Sequence, residues 1–184
     1  LLSDFQKTGA PARWVQLSLV GFGERYPSLH DEIRFVEHSS HEVQQSTSPA
    51  EVLAMLLEGN SRFRAGEPLK RSMERQRTAT ATGQHPLAVI LSCIDSRSPA
   101  EAIFDLGLGD VLSVRVAGNI TTEEVIGSIE FAAIVAGAKL VAVVGHTRCG
   151  AIESSVTNYC CPDQSLVPEC VHARSILREV AKVI

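Results

Sequence analysis

Three runs of apolar, largely β-branched residues punctuate the second half of the chain. They are LAVILS (87–92), VLSVRVA (111–117) and KLVAVVG (139–145). Each run has the length of a strand, and segments with helical start signals lie between them. Buried strands that alternate with helices favour parallel pairing and right-handed crossovers. The pattern therefore predicts an α/β fold, with a parallel β-sheet core and flanking helices.

Helical patterns surround these runs. TTEEVIGSIEFAAIVAG (121–137) begins with a threonine cap and two glutamates and ends at a glycine. SPAEVLAMLLEGNSRFRAGE (48–67) is amphipathic, with a serine cap and a proline in its first turn. PAEAIFDLG (99–107) predicts a shorter helix, and a helical period resumes over 171–184. The residues from Ser155 up to that last helix are predicted to form a loop.

The first 48 residues have a different character. Residues 36–48, VEHSSHEVQQSTS, are polar and serine-rich, and predict a linker. Residues 1–35 contain a possible helix (1–8) and a strand, VQLSLVGF (15–22), which is too little for a domain. Because the sequence begins without methionine and without a signal-peptide pattern, we expect it to be a fragment of a longer protein.

Composition narrows the class of protein. With 45% hydrophobic and 21% charged residues, the 184-residue chain can bury a core. A net charge of −4 argues against a nucleic-acid surface, and the arginine-rich LKRSMERQR (69–77) is interpreted as a solvated helix face. No run approaches the roughly 18 apolar residues of a membrane helix. Five cysteines without a secretory signal favour a reducing, cytoplasmic compartment.

Two motifs place reactive side chains directly after the first and third strands. LSCIDSR (91–97) carries Cys93, Asp95 and Arg97, and GHTRCG (145–150) carries His146 and Cys149. Functional groups of parallel sheets collect at the carboxyl ends of strands, so we expect the two motifs to meet. Two thiolates and one imidazole predict a zinc site whose open fourth position is typical of catalysis. The simpler alternative is a strand-end turn with a surface ion pair, next to a hydrogen-bonded loop histidine.

Asp95 and Arg97 complete this hypothesis. A carboxylate two positions past a zinc ligand either binds the metal or accepts a hydrogen bond from a metal-bound hydroxide. The planar guanidinium of Arg97 would keep it ionised through two parallel bonds. The remaining cysteines have no C-x-x-C spacing and are interpreted as structural or incidental: Cys160, Cys161 and Cys170.

The two motifs resemble the signature of the β-class carbonic anhydrases, C-x-D-S-R followed by H-x-x-C. EGNSRFRAG, SPAEAIFDLGLGDVLSVRVAGNI and GSIEFA extend the resemblance over about residues 49–184. It implies reversible hydration of CO₂ to bicarbonate and a proton, by attack of zinc-bound hydroxide on CO₂, in a homodimer or higher oligomer. It also implies one Zn²⁺ per chain, held by Cys93, His146 and Cys149. The catalytic pair would be Asp95 with Arg97, or Asp95 would become a fourth ligand.

A second resemblance concerns the start of the chain. LLSDFQKTGAPARWVQLSLVGFGERYP is similar to the last helix and strand of a STAS domain, the cytoplasmic module of SulP-type anion transporters, some of which carry a carbonic anhydrase domain. We therefore expect a STAS remnant (1–35), a linker (36–48) and a carbonic anhydrase domain (49–184) that is incomplete at its C-terminus. The fusion would hold the domain at the cytoplasmic face of the membrane.

Two alternative functions stay open at this point. The same zinc chemistry would serve a hydrolase of a CO₂ analogue, carbon disulfide or carbonyl sulfide. A non-catalytic domain could instead sense bicarbonate for the transporter, although such a domain has no use for the Asp95–Arg97 pair.

Overall fold

A parallel four-stranded sheet forms the centre of the fold, in the order β1–β4–β2–β3. The computed structural model describes the backbone of residues 13–18 and the chain over 39–161 and 170–183. The strands are β1 (Arg13–Ser18), β2 (Ala88–Ser92), β3 (Val111–Arg115) and β4 (Leu140–Gly145). The three apolar runs are therefore strands, and the predicted α/β fold with a parallel sheet is confirmed.

Seven α-helices occupy the described residues. They are α1 (His41–Ser46), α2 (Pro49–Ala65), α3 (Met73–Ala79), α4 (Ala100–Ile103), α5 (Glu123–Glu130), α6 (Gly150–Cys160) and α7 (Ala173–Ala181). A 3-10 turn (Ala117–Asn119) follows β3, and a π-helical turn (Phe131–Val135) extends α5. In the part of the chain that the structure describes, no helix has both the length and the apolar character that crossing a bilayer requires. The loop predicted from Ser155 is wrong at its start, because α6 continues to Cys160.

Local sequence explains the ends of α2. The Ser48 hydroxyl accepts a hydrogen bond from the Glu51 amide at 3.3 Å, and the Glu51 carboxylate accepts one from the Ser48 amide at 2.7 Å. This reciprocal capping satisfies two amides that the first turn leaves without helical partners. At the other end, Gly66 adopts the left-handed conformation (φ 71°) in which glycine avoids a steric penalty.

Alternate residues of the buried strand β2 enter two apolar clusters on opposite faces of the sheet. Ala88 and Ile90 pack with residues of α2 and α4. Val89 and Leu91 pack with residues of α5 and its π-helical extension. Because side chains alternate along a strand, the fully buried β2 covers both faces and lies in the middle of three layers. This buried position fixes the place of Cys93, which follows β2 directly.

Residues 39–48, predicted as part of a linker, pack against the sheet. The Ser39 amide donates to the Asp110 carboxylate at 2.9 Å, and the Gln44 amide group donates to the carbonyls of Pro86 and Ala136 at 2.7 and 2.9 Å. Gln44 is only 3% exposed, so these long-range contacts, which a polar sequence does not reveal, order the segment into α1.

The N-terminal predictions are tested less fully by the structure. The predicted strand at 15–22 is observed over 13–18, where its backbone pairs with β4. Its remaining residues and the predicted helix at 1–8 lie outside the described part of the chain. The division into a STAS remnant, a linker and a carbonic anhydrase domain therefore stays a prediction.

A buried carboxylate joins α2 to the segment after α4. Asp105 accepts hydrogen bonds from Arg62, from Arg71 at 2.7 Å and from the amide of Leu69. Burial would raise the pKa of Asp105, but these hydrogen bonds outweigh it and lower the pKa below its usual range. Arg71, predicted on a solvated helix face, instead has a side chain only 13% exposed, because the carboxylate draws it inward.

Candidate metal centre and active site

The carboxyl ends of β2 and β4 bring three metal-binding side chains together. Cys93 follows β2 directly, His146 follows β4, and Cys149 is the N-cap of α6. The sulfur and imidazole nitrogen atoms of these residues lie within 4.8 Å of one another. The two sulfur atoms are 3.8 Å apart although 56 positions separate the cysteines in sequence. The predicted meeting of the two motifs is therefore observed.

A tight turn brings His146 and Cys149 to the same point. Arg148, between them, has a left-handed backbone (φ 56°), which is uncommon for a residue with a side chain. Its carbonyl accepts a hydrogen bond from the Arg97 guanidinium at 3.3 Å. The turn that ends in a metal-binding cysteine is thus held by the motif that follows β2.

The donor atoms fit a tetrahedral metal ion. Two sulfur atoms at zinc–thiolate bond length would lie about 3.8 Å apart around such an ion, as these two do. The His146 ring contacts the Thr147 carbonyl through Nδ1 at 3.0 Å, so Nδ1 carries the proton. Nε2 is then left with its lone pair, buried and without a hydrogen-bond partner among the described residues. Soft sulfur ligands with one imidazole favour zinc over magnesium or calcium.

The ionisation of Cys93 favours metal binding as well. Burial would raise the pKa of the Cys93 thiol, but its interactions with His146, the amides of Gly118 and Asp95, and Cys149 lower it overall. The contact with Cys93 in turn raises the pKa of His146, which favours the imidazolium, whereas metal binding needs the neutral ring. The thiolate is the form of cysteine that binds metal, so the protein stabilises the reactive state.

Asp95 and Arg97 form a bidentate pair beside this centre. The Arg97 Nε donates to Asp95 Oδ1 at 2.9 Å and its Nη2 to Oδ2 at 2.7 Å, while the Arg97 amide also donates to Oδ1 at 2.9 Å. These hydrogen bonds hold the pKa of Asp95 well below its usual range. Oδ2 lies 3.8 Å from His146 Nδ1. The structure thus pairs Asp95 with Arg97, whereas its role as a fourth ligand stays a prediction.

A cleft of about 330 Å³ opens next to the pair and the histidine. Helix α2 contributes Asn60, Phe63 and Arg64 to its wall, and Ile103 of α4 adds a further apolar surface. Asp95, Arg97, Ser98, His146 and Thr147 complete the lining. A small molecule in this cleft would meet apolar carbon on one side and an ionised carboxylate on the other. The motifs alone did not identify the residues of α2.

Sequence reasoning also missed the end of β3. Arg115 and Asn119 donate hydrogen bonds to backbone carbonyls of the two site segments, and Gly118 lies between them in sequence. Arg115 ends β3 within the second apolar run, and Gly118 and Asn119 directly follow that run, so the strand-end rule that selected Cys93 and His146 would have selected them too. By contrast, Cys160, Cys161 and Cys170 are exposed and lie outside the metal-binding group, as expected.

A parallel α/β sheet with two cysteines and one histidine at its strand ends defines a candidate metalloprotein of the zinc type. Comparison with known proteins then identifies the family. The model of the family described as "Carbonic anhydrase" matches residues 88–184, more than half of the chain. The chain therefore belongs to the carbonic anhydrase family.

The individual relatives are named carbonic anhydrases as well. Carbonic anhydrase 2 of Mycobacterium tuberculosis is 46% identical over 112 residues, which cover 60% of this chain and 54% of that protein. Carbonic anhydrase of Mycolicibacterium smegmatis is 42% identical over 113 residues, with 61% and 55% covered. The chain thus spans about half the length of these relatives. The β-carbonic anhydrase CcaA superposes with a TM-score of 0.52 and 24% identity, over 71% of this chain and 63% of that one, which shows a shared β-class fold.

Proposed function

We propose that the protein catalyses the zinc-dependent, reversible hydration of CO₂ to bicarbonate and a proton. One observation carries the proposal: the Cys93–His146–Cys149 cluster lies beside a carboxylate that Arg97 holds ionised and that lines a cleft together with His146. A structural metal site has no need of that carboxylate. Membership of the carbonic anhydrase family supports the same reaction.

Each residue of the candidate site would have a separate role in this reaction. Cys93, His146 and Cys149 would hold one zinc ion per chain, and zinc bound there supplies Lewis-acid chemistry that makes water a nucleophile near neutral pH. Asp95 accepts a hydrogen bond from the attacking water and so points its lone pair at the substrate. Arg97 keeps Asp95 ionised and oriented. Phe63 and Ile103 give the cleft apolar surface against which CO₂ can rest.

Stopped-flow measurement of CO₂ hydration tests the reaction directly. The zinc-loaded protein should show turnover, and the metal-free protein should show none until zinc is restored. Cys149→Ser should behave like the metal-free protein, whereas Cys161→Ser, at an exposed cysteine, should match the parent. A zinc-replete parent protein that does not hydrate CO₂ would leave the chain as a metal-binding module without this activity. Carbon disulfide and carbonyl sulfide, measured in parallel, separate the analogue hydrolases.

We also propose that the chain forms a homodimer or a higher oligomer. Phe131, Ile134 and Val135 lie three and four positions apart on the helical turn after α5, and each is more than half exposed. They lie within one helical turn, so they expose apolar side chains together that a partner subunit would cover. Analytical ultracentrifugation should find an oligomer that Ile134→Asp dissociates. A monomeric parent protein at micromolar concentration would contradict this assignment.

A final proposal concerns the longer protein to which this chain would belong. The resemblance of residues 1–35 to the end of a STAS domain supports a fusion to a SulP-type transporter, with the enzyme on the cytoplasmic side of the membrane. The odd number of cysteines agrees with a reducing compartment. The gene should then encode a membrane-spanning region upstream of Leu1. A start codon directly before Leu1 would exclude the fusion.

A further inference from the structure

The end of strand β3 and the residues that follow it contact both segments that carry metal-binding residues, the one after β2 and the one after β4. We call residues 115–119 the β3 turn. At its start, the Arg115 guanidinium donates from Nε to the Cys93 carbonyl at 2.9 Å and from Nη2 to the Asp95 carbonyl at 2.6 Å. One planar side chain therefore holds the backbone of a metal-binding residue and that of the residue carrying the paired carboxylate.

This geometry limits how the two side chains can move relative to each other. Nε and Nη2 belong to one rigid fork, so the two carbonyls of the Cys93–Asp95 turn are kept at a set separation. The hydrogen-bond ladder between β2 and β3 extends one residue past β3, because the Val116 amide donates to the Ser92 carbonyl at 3.1 Å. The orientation of the Cys93 sulfur and of the Asp95 carboxylate thus depends on a residue that belongs to neither motif.

The rest of the β3 turn also lies close to the segments that form the metal site. The Asn119 side chain donates to the Val144 carbonyl, just before the histidine motif, and the Gly118 amide is among the groups that lower the pKa of the Cys93 thiol. Both residues have left-handed backbones, with φ of 70° for Gly118 and 55° for Asn119. A Cβ on Gly118 would approach Ala151 of α6 at 3.4 Å, so the turn passes close to the helix that Cys149 caps.

We propose that Arg115 is a positioning residue of the metal centre, one that holds the Cys93–Asp95 turn in the geometry that binds metal and orients the carboxylate. The proposal rests on the function proposed above for Cys93 and Asp95. Groups that orient metal ligands from outside the coordination shell affect metal affinity as well as activity. A residue that merely stabilised the fold would affect the free energy of unfolding but not the metal affinity of the folded protein.

Two variants and a matched control separate these roles. Arg115→Lys keeps the charge but loses the fork that reaches two carbonyls, and Arg115→Gln removes the charge. Arg71→Lys is the control, because Arg71 also donates to a backbone carbonyl, that of Asp105 at 2.7 Å, in a segment without site residues. Zinc and cobalt affinities of the full chain are measured by competition with a chromogenic chelator, alongside urea unfolding.

We expect both Arg115 variants to lose about 10- to 100-fold in metal affinity while remaining folded. Arg71→Lys should lose stability and keep its metal affinity within about twofold, the usual scatter for a site without shared partners. Parent-like affinity in the Arg115 variants would overturn the proposal, and so would a loss of affinity that Arg71→Lys reproduces. Loss of folding in both Arg115 variants would also overturn it, since the arginine would then serve the fold.

A second measurement needs no bound metal. Alkylation of Cys93 in the metal-free protein, followed by peptide mass spectrometry, should be about tenfold faster in Arg115→Lys, because the turn opens locally more often. The exposed Cys160 is the internal standard, and Arg71→Lys should not change the ratio of the two rates. An unchanged ratio in Arg115→Lys would refute the positioning role even if the parent protein bound no metal. A parent that binds zinc without hydrating CO₂ would refute only the proposed function, because the affinity comparison still decides the role of Arg115.

Discussion

Replacing Asp95 with asparagine isolates the contribution of the carboxylate to catalysis. The change keeps the size and shape of the side chain, and it leaves the three metal-binding residues in place. If Asp95 orients the attacking water, hydration should fall steeply while zinc stays bound. If Asp95 is only a neighbour of the metal, neither quantity should change.

The magnitude follows from the three hydrogen bonds that Arg97 donates. Two go to Oδ1 and one to Oδ2, so the carboxylate uses both oxygens as acceptors. Asparagine has a single oxygen, and in either orientation its NH₂ group meets at least one Arg97 donor, which repels it. The amide therefore cannot keep the pair intact and offer an acceptor to water. A displaced acid–base group of this kind costs roughly 10²-fold or more in rate.

The assay is stopped-flow CO₂ hydration on protein whose zinc content is measured in the same sample. Circular dichroism and urea unfolding establish that the variant is folded. Glu101→Gln serves as the control for an acid-to-amide change, because Glu101 is exposed and bonded to Ser113 outside the site. Undiminished hydration by a folded, zinc-replete Asp95→Asn protein would refute the role assigned to the carboxylate.

Three further perturbations test the metal centre and the fold. Cys93→Ser should lose most of its zinc, because a neutral hydroxyl is a poor ligand, whereas Cys160→Ser should keep one zinc per chain by elemental analysis. Asp105→Asn should cost about 3–5 kcal/mol in unfolding by urea, since it leaves two half-buried arginines without their carboxylate. Because the folded pKa of Asp105 is lowered, this contribution is present above about pH 4 and is lost as the pH falls further, so the gap between variant and parent should narrow in acid. Gly59→Ala should destabilise the protein by about 1–3 kcal/mol, because its Cβ would collide with the Phe104 carbonyl oxygen. Unchanged unfolding midpoints would contradict either stability prediction.

Local patterns in the sequence were sufficient for the sheet and for the site motifs. Short apolar runs predicted β2, β3 and β4. The reason is strongest for β2 and β4, because a strand buried on both faces has little room for polar residues. Ser48 and Gly66 marked the ends of α2 through hydrogen bonds and backbone preferences that act within a few residues. The strand-end rule likewise predicted that Cys93 and His146 would meet.

Contacts between distant segments were decided by the tertiary structure alone. The polar residues around Gln44 pack because carbonyls of remote loops accept from its amide, and Arg71 is drawn inward by Asp105. Neither partner can be identified from local composition. Helix α6 continues beyond Ser155, which is buried and bonded to the Ala151 carbonyl, although the cysteine-rich stretch predicted a loop there.

The metal site itself combines both kinds of information. Residue types and strand ends determined which side chains could meet, since ligand chemistry is a property of the residues. The 3.8 Å between the sulfurs depends on strand register and on the left-handed turn at Arg148. The role of Arg115 depends on the pairing of β3 with β2, which sets Arg115 opposite Ser92 and within reach of the Cys93 and Asp95 carbonyls. Such distances result from packing the whole chain, and no local pattern encodes them.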